Sequence, residues 1–330
     1  MGTAKKELKE GFNRVTVVGT LVEKNLEDSF YMKQDGTRVD QLKGSISVRT
    51  DDHEVHEIRL KTNKFTNAGA ENTFYKGYKT VQDEFVSVAD KDKNPELVVS
   101  EVSVSGKLTT NEYYGHDGKL RQYQQIEGVF VNRLTEKDDP TPRAVFETEI
   151  YISKTRPEMD ADGETGRAIV ESYIPTFHAI IPYNFTTVVE GADFFIGDIQ
   201  KGQTIKVYGQ ILNKKEEHVK MVEAAFGAPI EEKSYTYTTE SLIQNAKQPY
   251  EEDSVKAFDP EQVNDRLVKR EVYLEGQKTR NQQQGQQGGQ PSSTGMNAFG
   301  TGANTGGFAF GASQPKTGVE TPPVDVSNLF

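Results

Sequence analysis

The sequence predicts an all-β-dominated fold: two tandem five-stranded barrels, a short helical segment and a disordered C-terminal tail. Three observations predict it. First, apolar residues at period two around a glycine recur as Val15-x-Val17-x-Gly19-x-Leu21, Val102-x-Val104-x-Gly106-x-Leu108 and Ile205-x-Val207-x-Gly209-x-Ile211. Period two marks a strand with one buried face, and a glycine inside it marks a sharp bend or the close approach of another backbone, as where a small sheet curls into a barrel. Second, strand-rich runs come in the order strand, hairpin, helix, hairpin, and a comparable series follows. Third, from Gly276 the composition turns to Gln, Gly, Ser, Asn and Thr, with too little apolar surface to offset the entropy of ordering.

An N-terminal extension, residues 1–11, precedes the first barrel, residues 12–137. Its first strand spans about Asn13 to Glu23, and the β-rich runs Leu42–Thr50 and Val55–Thr62 form a hairpin around Asp51-Asp52-His53. Phe74, Tyr78, Val81 and Phe85 then fall at helical spacing. Leu97–Leu108 and Leu120–Leu134 make a long hairpin around NEYYGHDGK, where Gly115 and His116-Asp117-Gly118 supply turn residues. This order is that of an oligonucleotide/oligosaccharide-binding (OB) barrel, with Gly19 on strand one and Gly106 on strand four. The prolines and acids of Asp138-Asp139-Pro140-Thr141-Pro142 make a linker.

Residues 138–230 read as a second, OB-like barrel. Its strands are Phe146–Ser153, Ala168–Ile174, His178–Val189, Thr204–Leu212 and His218–Phe226, the last two joined by a polar turn at Asn213–Glu217. Gly209 takes the place of Gly106, whereas the first strand, through Thr148 and Ile150, alternates without a glycine. Residues 231–275 form an acidic, partly helical segment with one helix from Pro260 to Tyr273, capped by Asp259. Residues 276–330 are the Gly/Gln-rich tail, ending in a hydrophobic tip.

The chain has no cysteine, so disulfides, thiolate nucleophiles and cysteine-based zinc sites are excluded, in keeping with a reducing cytoplasm. No apolar run reaches membrane-spanning length, and MGTAKKELKE lacks the apolar core of a signal peptide. The expected location is the cytoplasm. Net charge is -11, but the acidity sits in residues 138–275, with 26 acidic against 15 basic side chains, while residues 1–137 balance 22 against 21. The first barrel is therefore able to gather its cations on one face.

Signs of catalysis are absent. His53 and His56 lie on opposite faces of a strand and are expected at the surface, and Asp160-x-Asp162-Gly163-Glu164 reads as a hairpin turn, because Thr165 replaces the glycine a calcium loop needs. No enzyme activity, metal or cofactor is expected. What stands out is basic residues interleaved with aromatics on strands. Single strands are held in this way, cations meeting phosphates while flat rings stack on bases. The candidate contacts of the first region are Arg14, Arg49, Arg59, Lys61 and Lys64, and those of the long hairpin are Lys107, Tyr113, Tyr114, Lys119, Arg121 and Tyr123. Adjacent Tyr113 and Tyr114 are the sharpest, while Phe65, Phe74 and Phe85 read as covers of the barrel end.

On these residues the chain resembles the bacterial and phage single-stranded DNA-binding proteins. Asn13, Arg14, Val15, Val17, Val18, Gly19 and Leu21 resemble that family's first strand, and Val102, Val104, Gly106 and Leu108, leading into the loop Tyr113–Lys119, Arg121 and Tyr123, are similar to its last hairpin. The resemblance implies sequence-independent binding and protection of single-stranded DNA in replication, recombination and repair. It also implies recruitment of replication or recombination proteins through the tail, at Asp325, Leu329 and Phe330. With no tryptophan in the chain, stacking falls to Tyr and Phe. A monomer or homodimer is expected, since each chain carries two barrels. The alternatives are a phage or bacterial structural protein that uses the barrels to bind protein, and a carbohydrate-binding module.

Overall fold

The computed structural model describes residues 9–33, 35–115, 117–177, 179–222, 226 and 230–286, and among these it has ten strands and four α-helices. The first barrel comprises β1 (Asn13–Met32), β2 (Arg38–Asp51), β3 (Glu54–Asn63), β4 (Glu101–Tyr114) and β5 (Leu120–Arg133). β1 pairs with β2 and β4, β2 with β3, and β4 with β5, all antiparallel, while a short parallel pairing of β3 with β5 closes the ring. That is the OB topology. Gly19 and Gly106 lie on neighbouring strands of this one barrel. Gly19 is where β1 passes from β4 to β2, and a Cβ there would run into the carbonyl of Arg49; the carbonyl of Glu127 similarly takes the space beside Gly106.

Inward side chains fill the ring: Val15, Val17, Leu21, Leu42, Ile46, Ile58, Val104 and Leu108 are all fully or almost fully buried. Helix α1 (Thr73–Glu84) covers one end. Asn72 caps it by accepting from the Phe74 amide, and its buried face presents Tyr78 and Val81, as the helical spacing predicts. The Tyr78 hydroxyl donates to the Gly128 carbonyl at 2.8 Å. A one-turn helix, α2 (Val88–Lys93), follows, closed by a capping box between Ser87 and Asp90.

The second barrel repeats this plan with β6 (Arg143–Asp160), β7 (Gly163–Pro175), β8 (Ile180–Thr187), β9 (Thr204–Val222) and β10 (Ile230–Ala246). Helix α3 (Val189–Asp193) and a π-helical turn, Phe194–Asp198, occupy the place of α1 and α2. Parallel pairing of β8 with β10 closes this ring as well. The two barrels meet through their first strands, with Asn13–Val18 of β1 antiparallel to Arg143–Thr148 of β6.

The registers show that this meeting is two-fold. Val15 pairs with Gly106 on one side and Phe146 pairs with Gly209 on the other, so Val15 and Phe146 are equivalent, and they also pair with each other. The pseudo-dyad therefore passes through the Val15/Phe146 pair. The same correspondence makes Thr110 equivalent to Asn213 and Val55 equivalent to Pro182. Hydrogen bonds obey it: the Thr110 hydroxyl donates to the Pro182 carbonyl, and the Asn213 carboxamide donates to the Val55 carbonyl. Each barrel's last hairpin thus reaches onto the other barrel. Both belong to one compact unit that ends at Gly285.

Four features depart from the sequence expectation. Asn213–Glu217 is not a turn: β9 continues to Val222 and pairs along its length with β10, which occupies residues 230–246 of the segment expected to be acidic and partly helical. Beyond the barrel these strands form a two-stranded arm about 30 Å long, on which Val219 and Met221 stand exposed. Helix α4 (Pro260–Gln286) starts where Asp259 predicts, its Oδ1 accepting from the Glu261 amide at 2.9 Å, but runs past Gly276 into the expected tail. Its Val263 and Leu267 pack with Phe258 and Ile180 on the second barrel, while Arg270 ion-pairs with Glu112 of the first. β1 extends to Met32, adding a β1–β2 hairpin that the sequence reading stopped short of. Finally, His56 is buried, bonded to Thr50 at 3.1 Å.

Candidate nucleic-acid interface

The outward face of β2 and β3 carries the first set of expected residues. With Ile46, Val48, Ile58 and Leu60 pointing inward, alternation turns Arg49, Arg59 and Lys61 to solvent. Register places Lys43 directly opposite Lys61. Like charges so placed repel, and the surroundings compensate only in part. Lys43 reaches Glu27 at 3.3 Å and Arg59 reaches Glu57 at 3.1 Å, whereas Lys61 and Arg49 have no carboxylate partner among the described residues. Lys64 follows β3, its ammonium 5.6 Å from the centre of the Phe65 ring. Cations left without partners on a solvated sheet face suit a polyanion.

The β4–β5 hairpin carries the second set. Tyr113 and Tyr123 stack, with ring centroids 5.8 Å apart and planes inclined by 13°. Both are exposed, and the hydrogen bond between them raises the Tyr113 pKa. Arg121 reaches Asp117 at 3.4 Å, and Lys119 has no ion pair among the described residues. Tyr113 and Tyr114 do not act side by side, because consecutive strand residues face opposite ways. Tyr114 turns toward α4, with the Lys278 ammonium 5.6 Å from its ring centre. The stacking partner that the register supplies is Tyr123, diagonally across the hairpin.

Two expected residues lie elsewhere. Arg14 is exposed at the seam of the barrels, in register with Glu147, and Lys107 on β4 bonds Glu10 at 2.9 Å. Asp325, Leu329 and Phe330 fall outside the described residues.

Several aromatics take a different role from the one their sequence suggests. Phe85 does cover the barrel end, buried beneath the guanidinium of Arg133 at 4.6 Å. Phe65 is 51% exposed and, with Tyr31, Lys61, Asn63, Asn67 and Glu127, lines an open groove of about 600 Å³. Its setting, Asn63-Lys64-Phe65-Thr66-Asn67, offers no apolar neighbour, which was the available signal. Phe74 meets Phe130 at 5.3 Å, and both are exposed. Phe130 escapes sequence reading because a bulge between Ser105 and Gly106 shifts the phase of β5 and turns outward a residue that strict alternation buries. At the β1–β2 hairpin, exposed Phe30 stacks under Arg38 at 4.2 Å.

The second barrel has none of this at equivalent positions. The registers put Glu216 and Thr238 in place of Tyr113 and Tyr123, and Tyr173 and Thr186 in place of Arg49 and Arg59. Its Arg156, Arg167 and Lys206 are partly buried and held by Glu171, by Glu158 and Glu240, and by Glu147. Among the described residues no helix is long and apolar enough to cross a membrane.

A family model described as YorF matches residues 11–280, a span that takes in both barrels and most of α4. The chain belongs to the YorF family. No curated protein matches it. Among solved structures, this YorF chain is similar to the wild-type single-stranded DNA-binding protein from Thermus aquaticus at 13% identity, covering 74% of this chain and 97% of that one, with a TM-score of 0.43. A deletion mutant of the same Thermus aquaticus protein is similar at 15% identity, with 75% and 98% coverage and a TM-score of 0.39. At that distance neither decides what a YorF protein does, which has to come from its own residues.

Proposed function

We propose that the first barrel binds single-stranded DNA without sequence requirement along the main strand path, serving the protection of DNA in replication, recombination and repair. The observation that carries this reading is the exposed Tyr113–Tyr123 stack on a barrel whose β2–β3 face presents Arg49 and Lys61, cations without a carboxylate partner among the described residues, with Lys64 after β3 and Lys119 on the β4–β5 hairpin as further cations. Rings in that position stack on bases of any sequence, and the cations neutralise phosphates. No reacting group is needed, so the role is binding rather than catalysis. The second barrel, whose Arg156, Arg167 and Lys206 are held by carboxylates, acts as a partner domain that braces the first. The tail beyond α4, with Asp325, Leu329 and Phe330, recruits replication or recombination proteins in the cytoplasm.

Titration of labelled oligo-dT against the full chain at several salt concentrations tests this. Four phosphate contacts predict a slope of log K against log salt of about -3. Binding that ignores salt, or no binding, would instead favour a barrel pair that docks protein.

A further inference from the structure

Glu127 is out of place on a surface meant only for phosphates. It stands outward on β5, paired in register with Arg59 of β3, and lines the groove beside Lys61, with no ion-pair partner among the described residues. A carboxylate there repels a phosphate backbone. It is, however, an acceptor for N–H groups, and the rest of the groove is equipped to hold something flat with polar edges. Phe65 is exposed over half its surface and Tyr31 over 37%. Asn63 makes only a long contact of 3.5 Å with the Tyr31 hydroxyl, and the side chain of Asn67 has no partner among the described residues. Asn72, by contrast, is fully used, donating to Thr62 at 3.0 Å and capping α1.

We infer that the groove between the β1–β2 hairpin and the β3–α1 loop is a base site that prefers guanine, a conclusion that rests on the single-stranded DNA reading above. The chemistry selects among the four bases. Guanine alone presents two adjacent N–H donors, N1–H and the N2 amino group, which a single carboxylate can bridge. On its other edge it offers the O6 and N7 acceptors that suit a lysine ammonium and carboxamide donors. Thymine offers one N–H between two carbonyls, and adenine and cytosine place an acceptor beside their amino group. In this arrangement Phe65 and Tyr31 hold the base plane, Glu127 accepts from N1–H and N2–H, and Lys61 with Asn63 or Asn67 donates to O6 and N7. The bound strand is then held without sequence requirement along most of its path and reads one base at this point.

The test compares the full chain binding a 15-residue oligo-dT with the same oligomer carrying one central dG, or inosine, which lacks the N2 amino group. The dG oligomer is expected to bind about tenfold more tightly, and inosine to forfeit most of that gain. Glu127→Gln should abolish the preference while leaving dT binding equal or stronger, since a repelling charge has gone; reduced dT binding in this variant would overturn the assignment of Glu127 as a base acceptor. Phe65→Ala should weaken dG binding more than dT binding. Equal wild-type affinity for dG and dT, or a preference that survives Glu127→Gln, overturns the inference and leaves the general reading intact. Failure of the wild type to bind either oligomer overturns the general reading itself. Glu127 and Phe65 are both exposed, so thermal melts of the variants should match the wild type.

Discussion

The two barrels share one backbone plan, down to paired hydrogen bonds across a pseudo-dyad, yet present opposite surfaces. Several inward positions are apolar in both: Leu21 answers to Ile152, Ile58 to Phe185 and Leu108 to Ile211, all buried, with polar exceptions such as Thr148 at the place of Val17 and Ser172 at that of Val48. The outward positions diverge, tyrosine to glutamate or threonine at the last hairpin and arginine to threonine on the third strand. Because a closed barrel fixes where each alternate side chain points, the lining is constrained by packing and the exterior is open to change. Topology alone therefore does not distinguish the two barrels, and the proposed assignment of binding to the first rests on the exterior.

The largest test of the comparison concerns an inward position where one barrel has glycine and the other a branched side chain. Gly19 corresponds to Ile150, since β1 must pass the Arg49 carbonyl at Gly19 and β6 has no such approach at Ile150. Gly19→Val is expected to prevent folding or to cost more than the ~1–3 kcal/mol typical of overpacking, because the added side chain meets the Arg49 backbone rather than a side chain that can move. A soluble variant with a wild-type urea midpoint would refute the close-approach account.

A smaller effect is expected at the exterior. Tyr113→Ala with Tyr123→Ala should weaken oligo-dT binding about a hundredfold, on the scale of 1–3 kcal/mol per stacked base, without changing the melting temperature. Thr238→Ala, at the place of Tyr123 in the second barrel, should change affinity less than twofold. Equal losses from the two would mean that both barrels hold the strand.

The smallest effect concerns a buried pair of counterparts, His56 and Tyr183. Burial lowers the His56 pKa below its usual 6.5, partly opposed by Glu54, whereas burial pushes the Tyr183 hydroxyl up to about 12. As pH falls through 6.5 the unfolded chain takes up a proton that the folded His56 refuses. Stability therefore declines below pH 6.5 and levels off once the folded histidine titrates. Melts at pH 7.5 and 5 should show a larger drop for the wild type than for His56→Gln; equal drops would mean that acid acts elsewhere. Tyr183 contributes nothing to this window.

Local chemistry made much of this legible in the sequence. The three glycine motifs, the turn at Asp51-Asp52-His53, the helix through Tyr78 and Val81 and the cap at Asp259 all depend on neighbours within a few residues. What was not legible depends on distant chain. Residues 213–217 are uniformly polar, so nothing in them distinguishes a solvated ribbon from a turn, although Tyr235-Thr236-Tyr237-Thr238 had the composition of a strand. His56 is buried on the inward face of β3, in phase with Ile58 and Leu60, and its hairpin also lies against Asn213 and Lys215 of the other barrel, with Glu54 accepting from the Asn213 amide at 3.0 Å. Phe130 faces out because of a bulge set by its pairing with β4. Among the candidate contacts, Tyr113 and Tyr123 were legible as a pair only once the register of the hairpin was known.

The pseudo-dyad at Val15/Phe146 has a consequence for how such a molecule changes over time. In a symmetric pair of identical one-barrel chains, every substitution is made twice, and a residue that suits a DNA-facing surface must also be tolerated at its mirror position. Joining the two barrels in one polypeptide removes that constraint. A tyrosine at position 113 does not oblige position 216 to be tyrosine, and the buried seam need not be self-complementary, as valine facing phenylalanine shows. One half is then free to specialise in gripping a ligand while the other drifts toward supporting it.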